Sequence, residues 1–113
     1  MAERNLQVLP GTLEMLVLNV LAAVPEHGWG IGQRLQQASR GALDVNQGSL
    51  YPALQRLLER GWIKSEWRVT ESGRRARYYR VTASGLRQLK KQRGSWARQV
   101  EAVAWVLEWA PGR

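Results

Sequence analysis

The 113-residue sequence contains no cysteine, which excludes a disulfide framework, a thiolate zinc site and a cysteine nucleophile. Its one histidine, His27, has no metal-ligating or catalytic partner at a familiar spacing, and no two carboxylates have a catalytic spacing. We therefore predict that the protein is not an enzyme and needs no metal or cofactor. The lack of cysteine is also consistent with a cytoplasmic location.

Acidic residues are scarce: nine Asp and Glu stand against seventeen Lys and Arg, giving a net charge of +8. The excess is concentrated in residues 60–98, which hold twelve basic and two acidic side chains. Such a concentration favours a polyanion as partner, with nucleic acid ahead of an anionic membrane. A generally basic, solvated surface is the alternative.

Residues 13–24 form an apolar run that is too short to span a bilayer, which takes roughly 20 residues. The run is interrupted by Glu14 and Asn19, and the residues before it are not clearly basic. Its apolar side chains follow the spacing of an amphipathic helix. We predict a helix rather than a signal peptide here, and no membrane partner.

Two helices are predicted in the first part of the chain, after a loose arm at residues 1–9. Thr12 is the predicted N-cap of the first helix, and Pro25 ends it. Residues 27–30 are interpreted as a turn. A short second helix follows and is interrupted around Gly41.

The third helix is predicted to begin at Asn46 or Ser49 and to stop at Gly61. Its inward face carries Leu50, Leu54, Leu57 and Leu58. Its other face carries small or hydrogen-bonding residues that we predict to contact DNA: Gln47, Gly48, Ser49, Tyr51, Pro52 and Gln55. Small groups permit close approach in the major groove, and Gln and Ser can pair with base edges and phosphates. An ordinary polar surface has the same composition.

A β-hairpin is predicted next, from strands at residues 62–69 and 77–81 joined by a turn at residues 70–73. Its tip and second strand carry four arginines in seven residues, Arg74, Arg75, Arg77 and Arg80. Because few carboxylates are available to pair with them, we predict that Arg74, Arg75 and Arg77 contact the DNA backbone. Of the two adjacent tyrosines, one should pack inward and the other should lie on the outer face.

Thr82 is predicted to cap a last helix that runs to about Trp109, roughly 40 Å in length. Seven of its residues have the alternating 3-4 spacing of a heptad seam: Leu86, Leu89, Arg93, Trp96, Val100, Val103 and Leu107. Such a seam favours pairing with a second copy of the chain, and docking on the chain's own first helix is the alternative. We accordingly divide the chain into a DNA-binding domain, residues 1–81, and a dimerisation helix, residues 82–113.

These motifs, in this order, resemble the PadR-like family of transcription regulators. The motifs that carry the resemblance lie at residues 11–14, 27–31, 48–54 and 73–82, with Arg56, Leu57, Gly61 and Gly85 beside them. The resemblance covers about residues 10–109, and Trp29 stands where the family usually has tyrosine. It implies a mainly α fold with a small β-hairpin, which is a winged helix-turn-helix followed by a long C-terminal helix. It also implies a homodimeric repressor that binds a palindromic double-stranded DNA operator.

Some members of the family sense flat aromatic molecules, and the resemblance extends this expectation to a small aromatic effector here. In those members a tryptophan near the middle of the last helix faces its symmetry mate, and Trp96 has that position, one turn from Arg93. Simple packing of Trp96 in the dimer is the alternative. For the whole chain, a ligand-binding or protein-interaction dimer without sequence-specific DNA binding is the competing function, followed by RNA or membrane-surface binding.

Overall fold

The computed structural model describes residues 11–112, and this part of the chain forms four α-helices and a three-stranded sheet. The elements in chain order are α1 (Thr12–Ala23), β1 (Glu26–His27), α2 (Gly28–Ala38), α3 (Gln47–Glu59), β2 (Ile63–Val69), β3 (Arg75–Val81) and α4 (Ala83–Glu108). The predicted winged helix-turn-helix with a long last helix is confirmed. The arm predicted at residues 1–9 lies outside the described residues.

The core lies where α1, α2, α3 and the sheet meet. Leu50, Leu54 and Leu57 are at most 1% exposed, as their spacing on α3 predicts. They pack with Leu18 of α1 and Ile31 of α2, which are fully buried. The buried face of α3 leaves its opposite face free for a partner.

The capping residues differ in part from those that the sequence predicts. Gly11, not Thr12, is the N-cap of α1, with a φ of +84° that glycine adopts without strain. Of the two N-caps predicted for α3, Asn46 is the one observed, and its side chain accepts a hydrogen bond from the Ser49 N–H at 2.9 Å. The helix ends before Gly61, which has a φ of +73°.

The predicted turn at residues 27–30 is wrong, because Glu26 and His27 form a short strand and α2 begins directly at Gly28. The His27 side chain caps α2 by accepting a hydrogen bond from the Gly30 N–H through Nδ1 at 3.0 Å. This cap gives His27 the structural role that its isolation in the sequence suggests.

The sheet has the order β1-β3-β2, so the arginine-rich strand β3 lies in its centre. Strand β3 begins at Arg75, two residues earlier than predicted, and Trp67 of β2 is directly opposite Arg77. Tyr79 is buried and Tyr78 is partly exposed, which confirms the predicted division of the two tyrosines. Burial raises the pKa of the Tyr79 hydroxyl above its ordinary value.

Helix α4 starts on the core and then leaves it. The Thr82 hydroxyl donates to the Gly61 carbonyl at 2.8 Å and accepts from the Gly85 N–H at 3.0 Å. Leu89 is 5% exposed within its own chain, so it belongs to the monomer core and the predicted dimer seam is corrected at this position. Every side chain from Trp96 to Trp109 is exposed.

At Gly85, α4 lies very close to the rest of the fold. A Cβ at this position would collide with the Trp62 carbonyl oxygen and would lie 2.8 Å from the Val81 side chain. We expect Gly85→Ala to lower the free energy of unfolding by about 1–3 kcal/mol, because backbone must shift to admit the methyl group. Urea denaturation of the purified protein measures this loss.

Gly94 of the same helix is the matched control. A Cβ there would have only the Arg98 side chain as a neighbour, at 3.9 Å. Gly94→Ala should therefore stabilise the protein by about 0.5–1 kcal/mol through helix propensity alone. If the two alanine variants change the free energy of unfolding in the same direction, the close contact at Gly85 does not determine how α4 packs on the core.

Candidate nucleic-acid interface

The outward face of α3 is exposed along its whole length. All six residues predicted to contact DNA lie on it in the exposed class: Gln47, Gly48, Ser49, Tyr51, Pro52 and Gln55. Because α3 begins at Gln47, Pro52 lies in the second turn of the helix. Its ring therefore removes one main-chain hydrogen bond inside the helix.

A buried carboxylate anchors the other end of α3. Glu14 of α1 is 8% exposed, and its two oxygens accept hydrogen bonds from Arg56 at 3.0 Å and Arg60 at 3.2 Å. Arg56 of α3 and Arg60, the C-cap residue of that helix, are thus held by one side chain of α1. This anchor could not be predicted from the sequence, since an acid inside an apolar run gives no sign of a partner more than 40 residues away.

The wing is the hairpin formed by β2, β3 and their turn, and its arginines fall into two groups. Arg68 lies 2.7 Å and Arg80 3.9 Å from the carboxylate of Glu66, and the hydrogen bond from Arg68 lowers the Glu66 pKa. None of the ion pairs found in residues 11–112 involves Arg74, Arg75 or Arg77, which are all exposed. These last three arginines, the wing arginines, remain available to an anion.

Arg77, one of the wing arginines, and Tyr51 of α3 line one crevice, and this is the geometric link between the two predicted DNA-contacting elements. The crevice has a volume of about 310 Å³, and its lining includes Tyr51 of α3, Trp67 and Arg77 of the wing, and Trp29 of α2. Gly28 permits the close approach of α2 to α3, since a Cβ there would lie 2.7 Å from the Tyr51 hydroxyl. The exposed face of α3 and the cationic wing thus form a continuous surface.

Two exposed tryptophans on this surface were not assigned a role from the sequence. Trp29 is 63% and Trp67 57% exposed. The ring centroid of Trp67 lies 5.2 Å from the Arg75 guanidinium carbon and 5.7 Å from that of Arg77. The alternation of residues along β2 and β3 was the available signal, because it puts Trp67 on the same sheet face as both arginines.

The remaining predicted site residues lie on α4. Leu86, Trp96, Val100, Val103 and Leu107 are between 39% and 79% exposed. Trp96 lines a cleft of about 220 Å³ between α1 and α4, together with Met15, Gln92 and Ser95. Arg93 does not line this cleft and instead contacts Asn19 of α1 at 3.4 Å.

Three carboxylates in the described part of the chain pair with arginine. Besides Glu14 and Glu66, Glu26 accepts a hydrogen bond from Arg34 at 2.8 Å. No three acidic or histidine side chains within residues 11–112 are grouped as a metal ion would require. None of the helices in this range is long and apolar enough to cross a membrane.

Comparison with known proteins relates the chain to regulators of transcription. A family model described as the PadR-like transcriptional regulator family matches residues 17–91. A PadR family transcriptional regulator from Eggerthella lenta has a similar structure, with a TM-score of 0.77, 33% identity and coverage of 88% of this chain and 85% of that chain.

Two further proteins are similar over different lengths. A PadR-like transcriptional regulator from Bacillus cereus has a TM-score of 0.77 at 27% identity, over 93% of this chain and all of that chain. A transcriptional regulator from Mycobacterium tuberculosis is 43% identical over 58 residues, which are 51% of this chain and 53% of that protein.

Proposed function

Because the chain belongs to the PadR-like family of transcriptional regulators, we propose that it is a homodimeric repressor that binds a palindromic operator. Family membership identifies it as a regulator of transcription and not an enzyme. The observation that carries the finer proposal is the crevice shared by Tyr51 of α3 and Arg77 of the wing. In this arrangement α3 enters the major groove while the wing arginines contact the backbone beside it.

Dimerisation is proposed to occur through α4. Its half from Trp96 onward presents four seam residues to solvent in the single chain: Trp96, Val100, Val103 and Leu107. Isolated apolar side chains are common on surfaces, but a continuous stripe marks an interaction site. Residues 82–113 would pair two copies, and residues 1–81 of each copy would bind one half-site of the operator in the cytoplasm.

The experiment that tests the function is selection of duplexes from a random pool by the full-length protein. We expect one palindrome to be preferred over bulk DNA by at least about a thousandfold. A binding module without sequence specificity would enrich no motif, and an RNA or membrane binder would show no such preference for a duplex. Repeating the selection with flat aromatic compounds present tests the proposed effector, for which the cleft at Trp96 is the supporting feature.

Gln55 is the best base-reading candidate on α3. It is exposed, and the one side-chain hydrogen bond found for it within residues 11–112 is a long one of 3.5 Å, from Nε2 to the carboxylate of Glu59. A glutamine amide can donate to and accept from adenine, which gives about 1–3 kcal/mol of discrimination. Gln55→Ala should therefore relax the preference at one position of each half-site in the selected motif.

Gln36→Ala is the control for this prediction, because Gln36 is exposed on α2 rather than on α3. We expect the same motif from this variant as from the wild type. An unchanged motif from Gln55→Ala would remove Gln55 from the base-reading set, while the rest of the proposed interface would stand.

A further inference from the structure

Trp67 lies beside two like charges that should repel each other. The guanidinium carbons of Arg75 and Arg77 both lie within 6 Å of the Trp67 ring centroid, the range of an effective cation–π contact. The β2–β3 register explains the cluster: Trp67 is opposite Arg77, and Arg75 is opposite Val69, two residues farther along the same face. One ring thus serves two arginines.

The chemistry of this cluster differs from that on the other face of the wing. There, Arg68 lies over the Tyr78 ring but also donates to the Glu66 carboxylate, which neutralises its charge. An aromatic ring attracts a guanidinium through its quadrupole and leaves the full positive charge in place. Arg75 and Arg77 are therefore restrained without losing their attraction for an anion.

Hydrogen bonding restrains Arg77 further. Its Nε donates to the Ser65 hydroxyl at 2.9 Å, and this contact uses only one of its five N–H donors. The terminal amino groups are then directed by a fixed Nε, and they can bind a phosphate as a fork. Long arginine side chains otherwise lose much rotamer freedom when they bind.

We propose that Trp67 is a positioning residue. Before DNA binds, it holds the side chains of Arg75 and Arg77 in the conformation in which they contact the phosphates of one operator strand. This inference rests on the proposed DNA-binding function and adds a residue that acts through its neighbours. Duplex DNA is the occupant that fits this surface, because the three wing arginines are exposed cations outside every ion pair found in residues 11–112. Trp67 and Arg77 also line the crevice that includes Tyr51 of α3, so a strand that follows this crevice meets Arg77 beside α3.

The test is a double-mutant cycle on the full-length protein with the selected duplex, measured by fluorescence anisotropy over a range of salt concentrations. Trp67→Leu should weaken operator binding by about a hundredfold, since the proposed dimer loses four exposed cation–π contacts, two in each wing. Trp67→Phe should restore most of the affinity. When Arg75 and Arg77 are already glutamine, Trp67→Leu should have almost no further effect.

A matched control is available on the opposite face of the wing. Tyr78→Leu also removes a ring beneath an arginine, but that arginine is paired with Glu66. We expect less than a twofold change in affinity from this variant. Denaturation midpoints of all variants show whether they are folded, and Trp67→Gln replaces Trp67→Leu in the cycle if the leucine variant is not.

Each outcome has a separate meaning. If Trp67→Leu reduces DNA affinity equally in the wild-type background and in the background in which Arg75 and Arg77 are glutamine, the positioning role is overturned and Trp67 is a direct DNA contact. Wild-type affinity in Trp67→Leu would overturn any role of this ring in binding. If the wild-type protein itself prefers no duplex, the proposed function fails, and this is recognised before any Trp67 variant is measured.

Discussion

Replacing Arg74, Arg75 and Arg77 together by glutamine is expected to weaken binding to every duplex by roughly a thousandfold at physiological salt. In the proposed dimer the change removes six cations that contact phosphate. Each such contact contributes about 0.9 to the slope of log affinity against log salt concentration, so the slope should fall by about 5. Measuring affinity at several salt concentrations, on the operator and on an unrelated duplex, checks both numbers.

Removing three positive charges from α4 instead of the wing distinguishes a local contact of the wing with DNA from an effect of the overall charge. Arg87, Lys90 and Lys91 are exposed on α4, and their replacement by glutamine lowers the net charge by the same three units. This triple variant should keep most of the wild-type affinity and slope. Equal losses from both triple variants would mean that overall charge, and not the wing, governs binding.

Val100→Asp is expected to convert the proposed dimer into a folded monomer and to lower operator affinity by about 10²–10⁴-fold, because two linked half-site contacts would become independent. Val100 is 50% exposed in the single chain and lies beyond the part of α4 that packs on the core, so the fold should survive. A carboxylate buried without a partner in the pairing surface is strongly unfavourable. Sedimentation at micromolar concentration measures the mass.

Lys91→Gln provides the control for this variant, because it changes the charge of the same helix by one unit at an exposed position off the seam. This protein should remain a dimer with nearly wild-type affinity. A Val100→Asp protein that still sediments as a dimer, or a wild-type protein that is already monomeric, would show that α4 is not the pairing element.

Long periodic elements could be predicted from the sequence, and short or nonlocal features could not. The apolar spacing of α3 and the heptad pattern of α4 repeat over enough residues to define a face. Strand β1 has only two residues, too few for an alternation, and exists because it pairs with Tyr78 and Tyr79 of β3. Histidine is also not a usual N-cap residue, so the beginning of α2 carried no familiar signal.

The site shows the same division between local and nonlocal information. The exposed face of α3 and the cluster of wing arginines follow from residues adjacent in the sequence. The pairing of Glu14 with Arg56 and Arg60 depends on how α1 packs on α3, which no local pattern describes. Leu89 fits the heptad spacing as well as Val100 does, and only the position of α1 assigns it to the core.

The hydrogen bonds of Thr82 couple the position of α3, the helix proposed to read DNA, to the position of α4. They join the first turn of α4 to Gly61, two residues beyond the end of α3, so a rotation of α4 would be transmitted to the C-terminal end of α3. The 26 residues of α4 measure about 39 Å, and pivoting a rod of that length by about 10° moves its end by roughly 7 Å. This displacement is about twice the 3.4 Å rise between base pairs of DNA. A small change in the crossing angle of two paired α4 helices would therefore move both α3 helices out of register with their half-sites.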